Sequence, residues 1–188
     1  VLVAAEEGRL AAAEIDRCAT RVVELLIRAA AHRDPDASFD PAAHHDLARR
    51  AAAAGTVLLT NDGTLPLLAA DRPAPDHLAV LGAFAATPRY QGSGSSQVTA
   101  LRVDGLHTAL ADRLDGAVGV HYAPGYDPGT GATTEQLLSQ AVATAERCDV
   151  AVVVVGLPER YESEGFDRQH LALPPGHTRL VEAVLATG

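Results

Sequence analysis

The residues best suited to chemistry follow the most apolar run of the chain. The run "DVAVVVVGL" continues into "PERYESEGFDR", which places Glu162, Glu164 and Asp167 within six residues of one another. A carboxylic acid can give a proton to a leaving oxygen and, once ionised, take one from water, so such a group can act as a general acid/base. Glutamates two positions apart lie on the same side of an extended segment, and their repulsion would raise the pKa of one of them. The alternative is that these acids only form a solvated loop.

Asp167 is followed directly by Arg168. An aspartate beside an arginine is better suited to an ion pair than to proton transfer, because the cation stabilises the ionised carboxylate. We therefore expect Asp167 and Arg168 to form a structural pair that shapes the acidic segment.

A second candidate is the glycine-rich stretch "QGSGSS", which runs from Gln91 to Ser96. Gly92 and Gly94 allow positive φ angles and a close approach of the backbone to a partner. The stretch lacks the lysine of a P-loop and the G-x-G-x-x-G spacing of a dinucleotide site. Three interpretations remain open, namely a phosphate cradle, a flexible loop, and a wall of a pocket for a sugar or another neutral ligand.

The histidines and cysteines do not have the spacing of a metal site. His44 and His45 are adjacent, and the two cysteines are far apart in the sequence. Acidic residues do not recur at alternate positions in "GYDPGTG", as a calcium loop requires. We expect neither a metal nor a cofactor. His170 and His177 flank the acidic segment and are secondary candidates for contact with a ligand.

The composition excludes several classes of partner. A formal net charge of -9 disfavours binding to a nucleic-acid backbone. No run reaches the roughly 20 apolar residues that span a bilayer, so we expect no membrane partner. The sequence contains no signal that reveals its localisation.

The second half of the chain alternates between strand and helix patterns. Apolar runs predict strands over 77–82, 118–123 and 149–156, and amphipathic segments predict helices between and after them. The helix in "TTEQLLSQAVATAERC" is predicted to begin at a Thr cap, with Glu135 in its first turn. Unbroken apolar runs separated by helices are typical of an α/β fold with a parallel sheet that is covered on both faces. We expect the last of these strands to be buried on both faces.

The order of these elements places the candidate residues together. Parallel strands share a carboxyl edge, and the loops that leave this edge bind ligands in open α/β sheets. The glycine-rich stretch follows the first strand and the acidic segment follows the third. The sequence therefore predicts that they lie at one end of the sheet.

The first half of the chain is helical. A stripe that includes Ile15, Val22 and Ile27 recurs with a helical period, and a second helix begins at Pro41 and ends at Gly55. "TVLLTNDGTLPL" begins with a short β-like stretch, and "AADRPAPDH" after it is rich in proline and charge, as is typical of a linker, which we place over residues 56–76.

The chain contains four motifs in the order "AAAAGTVLLTNDGTLPL", "LAVLG", "RYQGSGSSQV" and "DVAVVVVGLPERYESEGFDRQHLALPPGHTRLVEAV". Together these motifs resemble glycoside hydrolase family 3, which comprises the β-glucosidases and related exo-acting enzymes. The resemblance runs over nearly the whole chain. It implies a (β/α)8-type barrel followed by a linker and an α/β sandwich domain. Residues 1–55 would be the last helices of the barrel, 56–76 the linker, and 77–188 a sandwich domain truncated at its C-terminal end.

The resemblance also assigns roles to residues. Glu164, directly before Gly165, matches the general acid/base of a retaining mechanism, and Glu162 is the alternative. The family nucleophile is an aspartate in an "SDW"-like motif, which this sequence lacks, so it would lie outside the chain, in the rest of the barrel domain. Thr60 replaces the lysine of the family's "LLKN" motif. The expected substrate is a small carbohydrate or β-glycoside, and the expected binding residues are Arg89, Gln91, Gly92, Ser93, Gly94 and Ser95.

Two other functions remain open. The chain could be an α/β module that binds a sugar without hydrolysing it, since the nucleophile motif is missing from it. Less favoured is a nucleotide-binding domain that uses "QGSGSS". The sequence does not reveal the identity of the sugar, its linkage or the oligomeric state.

Overall fold

A computed structural model describes residues 1–188, which divide into two compact units, Val1–Ala52 and Ala53–Gly188. The first unit is helical, with α1 at Leu2–Glu6, α2 at Ala12–Ala31 and most of α3, which spans Pro41–Gly55. Both helices predicted here are present, and α3 begins and ends at the predicted residues. In the apolar stripe of α2, Val22 and Ile27 are exposed and Ile15 is partly buried. None of the helices is both long enough and apolar enough to cross a membrane. The assignment of this unit to the end of a barrel stays a prediction.

The connecting segment, residues 56–76, contains no strand, so the β-like stretch at its start was wrongly predicted. Leu59 is 90% exposed, and no neighbouring strand supplies the hydrogen bonds that an extended segment needs. The segment is instead ordered by a turn, in which the Asn61 side-chain oxygen accepts hydrogen bonds from the backbone N–H groups of Gly63 and Leu65. The guanidinium of Arg72 closes this turn by donating to the carbonyl oxygens of Gly63, Thr64 and Pro66.

The second unit is built on a parallel sheet of three strands, as the sequence predicted. These are β1 at His77–Leu81, β2 at Gly119–Ala123 and β3 at Val150–Val153, in the order β2-β1-β3. His77 lies beside Gly119 in the pairing of β1 with β2, and Leu78 lies beside Val150 in the pairing with β3.

The central strand is β1 rather than the more apolar β3. Residues Leu78 to Leu81 of β1 are at most 1% exposed, whereas β3 is an edge strand in which Ala151 is exposed and the other residues are partly buried. The expectation that the third strand is buried on both faces was therefore wrong for this chain. Apolar content predicted a strand, but its position in the sheet depends on which strands pair with it.

Helices cover both faces of the sheet and form two apolar clusters. On one face, α5 (Glu135–Ala145) and α6 (Pro175–Leu185) pack through Leu138, Ala141 and Leu180 against Ala79 and Leu81 of β1. On the other face, α4 (Leu106–Leu114) packs through Leu110 and Leu114 against Leu78 and Val80. Alternate residues of β1 thus serve opposite layers, as expected for a strand between two helical layers. Thr134 caps α5 by accepting a hydrogen bond from the Leu137 N–H at 3.2 Å, which confirms the predicted cap.

Tyr126 ties the carboxyl ends of the strands together. Its buried hydroxyl donates to the Val154 carbonyl oxygen at 2.8 Å, just after β3, and accepts from the Phe84 N–H at 3.2 Å, just after β1. Gly82 lies between these groups with φ 110°, and a Cβ there would lie 2.1 Å from the Val154 oxygen. Burial raises the pKa of Tyr126 to about 12, so the hydroxyl keeps its proton and remains a donor.

His177 supports the same region from α6. The ring is fully buried and stacks on Tyr126 with 3.7 Å between centroids, and its Nδ1 accepts a hydrogen bond from the Gly156 N–H at 3.2 Å. The proton of the neutral ring therefore lies on Nε2, which has no hydrogen-bonding partner. Burial lowers the pKa of His177, since the site holds no countercharge for an imidazolium. His177 is therefore a packing residue and not the ligand contact considered from sequence.

We predict that Tyr126→Phe lowers the free energy of unfolding by about 1–3 kcal/mol, because it removes this partner from the partly buried Val154 carbonyl and Phe84 N–H. Urea denaturation measures the loss. The matched control is Tyr122→Phe, since the Tyr122 hydroxyl has no hydrogen bond in the structure. It is expected to change stability by less than about 0.5 kcal/mol. Equal effects of the two substitutions would contradict the role of the Tyr126 hydroxyl.

His177 predicts a dependence of stability on pH. Above the unfolded-state pKa of about 6.5, both states hold a neutral imidazole and the residue contributes no pH dependence. Below it, the unfolded state binds a proton that the buried ring resists, so stability falls by up to about 1.4 kcal/mol per pH unit until the lowered folded pKa is reached. Urea denaturation between pH 7 and pH 5 should show a steeper decline for the wild type than for His177→Gln. Parallel profiles would show that His177 does not titrate in this way.

Candidate functional site

The two candidate segments meet at the carboxyl edge of the sheet. We call residues 89–97 the glycine-rich loop and residues 157–168 the acidic loop; they follow β1 and β3, respectively. Hydrogen bonds join them from Arg89 to Glu162 and to the Leu157 carbonyl oxygen, from Ser95 to Glu164 and from Gln97 to Glu159. The expected proximity of the two segments is therefore present in the structure.

Glu164 lies on the tip of the acidic loop and is exposed. Backbone hydrogen bonds between Ser163 and Phe166 close a tight turn, with Glu164 and Gly165 between them. The carboxylate of Glu164 accepts two hydrogen bonds from Ser95, one from the hydroxyl and one from the backbone N–H, each of 2.7 Å. Both donors come from one residue, so the carboxylate is held in a defined orientation over the glycine-rich loop.

The approach of Glu164 depends on Gly94. This glycine has φ 85°, a value that disfavours other residues, and a Cβ there would lie 2.7 Å from Oε2 of Glu164. A side chain at this position would displace the carboxylate. Gly94 was predicted to allow the close approach of a partner. That partner is Glu164, the candidate acid/base in the same chain.

Ser95 stabilises the ionised form of Glu164. Its hydroxyl, and to a smaller extent its backbone N–H, lowers the pKa of Glu164 because both groups donate to the ionised form. The sequence suggested instead that a neighbouring carboxylate would raise the pKa of one of the two glutamates. For Glu164 this expectation was wrong, since Glu162 faces a cation while Glu164 faces two donors. In this conformation Glu164 is a carboxylate, the form that accepts a proton.

Glu162 has a different environment. Its Oε1 lies 3.0 Å from Nη1 of Arg89 in an ion pair, and its side chain is 41% exposed. The same Nη1 donates to the Leu157 carbonyl oxygen at 3.0 Å. Glu162 therefore lies at the base of the turn that carries Glu164, tied to an arginine of the glycine-rich loop.

The other predicted binding residues mainly shape the glycine-rich loop. The Gln91 amide closes it by accepting from the Val98 N–H at 2.9 Å and donating to the Val98 oxygen at 3.2 Å. Ser93 is buried, and its hydroxyl accepts a long hydrogen bond of 3.4 Å from Arg89. Gly92 leaves room for Ser96, whose hydroxyl would lie 2.9 Å from a Cβ at position 92.

Asp167 and Arg168 do not form the expected ion pair. Arg168 donates from Nε to the His170 carbonyl oxygen at 3.1 Å, and Asp167 is exposed. Arg168 thus bonds to a backbone oxygen two residues away instead of to Asp167, and this bond fixes the end of the acidic loop. Glu159 was not predicted as a residue of the site, yet its Oε1 accepts a hydrogen bond from the Gln97 amide at 2.9 Å. Its position in the same acidic run as Glu162 and Glu164 could have identified it.

An open cavity of about 500 Å³ separates the two loops. Six of the side chains that line it are those of Arg89, Ser93, Ser96, Glu162, Glu164 and Phe166. A neighbouring cavity of about 360 Å³ shares Arg89 and Ser93 and extends to Phe84, Tyr90 and Glu159. Polar groups, aromatic rings and the carboxylates of Glu159, Glu162, Glu164 and Asp167 thus surround space of the size of a small ligand.

The loop after β2 lines only the smaller cavity, through Pro128 and Gly129. Asp127 accepts from the hydroxyl and the N–H of Thr130, which lower the pKa of its carboxyl group and turn the loop back on itself. No group of three or more His, Cys, Asp or Glu side chains in residues 1–188 is placed so as to hold a metal ion.

Comparison with known proteins reveals relatives along nearly the whole chain. It is 39% identical over 185 residues to "Thermostable beta-glucosidase B" of Acetivibrio thermocellus, a match that covers 98% of this chain and 24% of that protein. It is 38% identical over 192 residues to "Exo-alpha-(1->6)-L-arabinopyranosidase" of Bifidobacterium breve, covering 99% and 25%. The crystal structure of a Bifidobacterium adolescentis GH3 beta-glucosidase superposes with a TM-score of 0.77 at 39% identity, covering 99% of this chain and 26% of that chain.

The chain therefore spans about a quarter of the length of these relatives. Residues 56–188 match the family model described as "Glycosyl hydrolase family 3 C-terminal domain", which is consistent with the parallel sheet and flanking helices of the second unit. The resemblance found in the sequence motifs is thus confirmed. On the combined strength of this match and of the relatives, the chain belongs to glycoside hydrolase family 3.

Proposed function

We propose that this chain supplies the general acid/base, Glu164, of an exo-acting, β-glucosidase-like retaining glycoside hydrolase. The observation that carries the proposal is the position of Glu164 on a turn at the carboxyl edge of the sheet, over a cavity of about 500 Å³. In this proposal the nucleophile is an aspartate outside the chain, and a retaining mechanism requires it roughly 5 to 5.5 Å from Glu164.

Glu164 acts in both steps of the proposed reaction. In the first step the protonated side chain gives its proton to the glycosidic oxygen as the nucleophile forms a bond to the anomeric carbon and the alcohol departs. In the second step the carboxylate takes a proton from water, whose oxygen attacks the same carbon and releases the nucleophile. The proton that is lost in the first step is thereby regained in the second.

Ser95 favours the form needed in the second step, because it stabilises the carboxylate of Glu164. The first step needs the proton on Glu164. A substrate that excludes water and an anionic nucleophile nearby would both raise the pKa of Glu164. We therefore expect the Ser95 hydroxyl to leave Glu164 as the substrate oxygen approaches, and to return to it after the alcohol has left.

The expected substrate is a small β-glycoside. Two relatives are named as β-glucosidases, and a third is named as an arabinopyranosidase, which supports a pyranose without fixing its identity. Of the binding residues predicted from sequence, Arg89, Ser93 and Gly92 line both cavities, and Gln91 lines the smaller one. Their direct contact with substrate stays a prediction.

Two alternatives differ in their support. A sugar-binding module without turnover is favoured by the low pKa of Glu164 and by the lack of the nucleophile motif in this chain. A nucleotide site on the glycine-rich loop is disfavoured, because the Ser95 N–H and hydroxyl bond to a carboxylate that would repel a phosphate.

We predict that residues 1–188 alone do not hydrolyse an aryl β-glucoside above background, because only one of the two carboxylates of the proposed mechanism belongs to this chain. The assay measures release of the phenolate by the purified chain, with Glu164→Ala prepared in parallel as a check for contaminating enzyme. Turnover that disappears in Glu164→Ala would show that the nucleophile lies within these residues.

In the intact enzyme, the effect of Glu164→Ala should depend on the leaving group. General acid catalysis is worth roughly 10²–10⁴ in rate, so glycosylation by a substrate with a poor leaving alcohol should fall by about this factor. A dinitrophenolate departs without a proton, so glycosylation by its glycoside should change little. Deglycosylation then lacks its base, and the glycosyl-enzyme should accumulate in a burst of dinitrophenolate.

Azide provides the second readout of this variant. It needs no deprotonation and fits the space that the carboxylate vacates, so it should restore turnover and give a glycosyl azide of retained configuration. Glu162→Ala is the matched control on the same loop. If azide rescues Glu162→Ala and not Glu164→Ala, the acid/base is Glu162. If azide rescues neither variant, the acidic loop is only a solvated segment.

A further inference from the structure

Arg89 connects three parts of the site. Its Nη1 donates to the Leu157 carbonyl oxygen and to the Glu162 carboxylate, each at 3.0 Å, and its Nη2 approaches the Ser93 hydroxyl at 3.4 Å. Its side chain is only 21% exposed. One guanidinium thus bonds to the first residue of the acidic loop, to the base of the acidic turn and to its own loop.

The chemistry of these contacts suits arginine and no other cation. A planar guanidinium presents several N–H groups in fixed directions, whereas a lysine ammonium is a flexible point charge with a shorter reach to separate acceptors. Hydrogen bonds between ionised partners are stronger than neutral ones, so the bond to Glu162 is the strongest of the three. Arg89 is therefore built to fix the distance between the two loops.

Glu162 transmits this constraint to Glu164. It is extended, with φ -154° and ψ 137°, and it directly precedes the turn closed by Ser163 and Phe166. On the opposite side, Ser95 lies two residues after Ser93, which Arg89 also contacts. Arg89 thus holds the base of the turn on one side and the segment before Ser95 on the other.

We propose that Arg89 is a positioning residue of the glycosidase reaction, which holds Glu162 so that the following turn presents Glu164 to the glycosidic oxygen. This inference rests on the proposed role of Glu164. It replaces the sequence-based roles of Arg89 as a substrate ligand and of Glu162 as the alternative acid/base by a shared structural task within the site.

The consequence is specific to the proton-transfer step. A displacement of a reacting group by about 1 Å can lower a rate by about 10²-fold. Without Arg89 the turn loses its anchor while Glu164 keeps its carboxylate. Loss of positioning should therefore affect substrates that need the proton and spare those that do not.

The test uses the intact enzyme with Arg89→Met, Arg89→Lys, Glu162→Gln and the double variant Arg89→Met/Glu162→Gln. Each is assayed with a β-glucoside of a poor leaving alcohol and with the dinitrophenyl β-glucoside. Arg102→Met is the matched control, because Arg102 forms an arginine–carboxylate pair with Asp104 at 2.8 Å in the same connection between β1 and α4. Thermal unfolding of every variant separates loss of fold from loss of position.

We expect Arg89→Met to lower kcat/KM by about tenfold to a hundredfold more for the poor leaving group than for dinitrophenolate. Arg89→Lys should recover only part of this loss, and Glu162→Gln should show a smaller one. The double variant should lose less than the product of the two single losses, because both substitutions remove one interaction. Arg102→Met should match the wild type, and azide should rescue none of these variants since Glu164 still fills its place.

Other results overturn the inference. An equal loss of Arg89→Met on both substrates would assign Arg89 a purely structural role. If Glu164→Ala shows leaving-group dependence and azide rescue while Arg89→Met shows neither loss, positioning by Arg89 fails and the role of Glu164 remains. If Glu164→Ala shows no such dependence, or if azide rescues Glu162→Gln, the proposed function itself fails, and the inference fails with it.

Discussion

The parallel pairing of β1 with both β2 and β3 is the constraint on which the site depends. Because all three strands point the same way, the loops that follow them leave from one edge of the sheet. The glycine-rich and acidic loops are separated by a long stretch of chain, since Ser95 and Glu164 are 69 positions apart in the sequence. Burial of β1 between its neighbours holds these loops within hydrogen-bonding distance of each other.

The edge itself is fixed by packing beneath the loops. Tyr126 joins the segments that follow β1 and β3 through one hydroxyl, and His177 stacks on it from α6. Groups this deeply buried reposition only at considerable cost, since their hydrogen bonds would be lost in a dry environment. The polar loops above thus rest on a rigid base, which suits a site in which small displacements affect the rate.

The acidic loop shows how a cluster of carboxylates can be held without mutual repulsion. Each of three glutamates has its own donor on the glycine-rich loop: Gln97 for Glu159, Arg89 for Glu162 and Ser95 for Glu164. The charge of Glu162 is offset by a guanidinium, and that of Glu164 only by neutral donors. This difference suits Glu162 to a permanent contact and Glu164 to one that can be exchanged for a substrate, because both partners are ionised in the bond from Arg89 to Glu162, whereas Ser95 carries no charge.

Much of this architecture is encoded locally. The apolar runs at 77–82 and 118–123, the cap at Thr134 and the helix limits at Pro41 and Gly55 depend on neighbours along the chain, and the sequence identified them correctly. The order of the motifs around "QGSGSS" and "ESEGFDR" likewise identified the family. The same sequence information was sufficient to place Glu164 at the carboxyl edge of a sheet, because that position follows from strand direction alone.

Tertiary structure decided the features that depend on distant partners. The sequence determined that residues 149–156 contain a strand, but only the pairing made β3 an edge and β1 the centre. The apolar stretch after Gly55 has strand propensity, but no strand of the sheet pairs with it, so it is a loop. The pKa of Glu164 falls, against expectation, because its environment is set by Ser95 across the site rather than by Glu162 beside it. Local patterns fix the elements of this protein, whereas its electrostatics arise from contacts between residues that only the fold brings together.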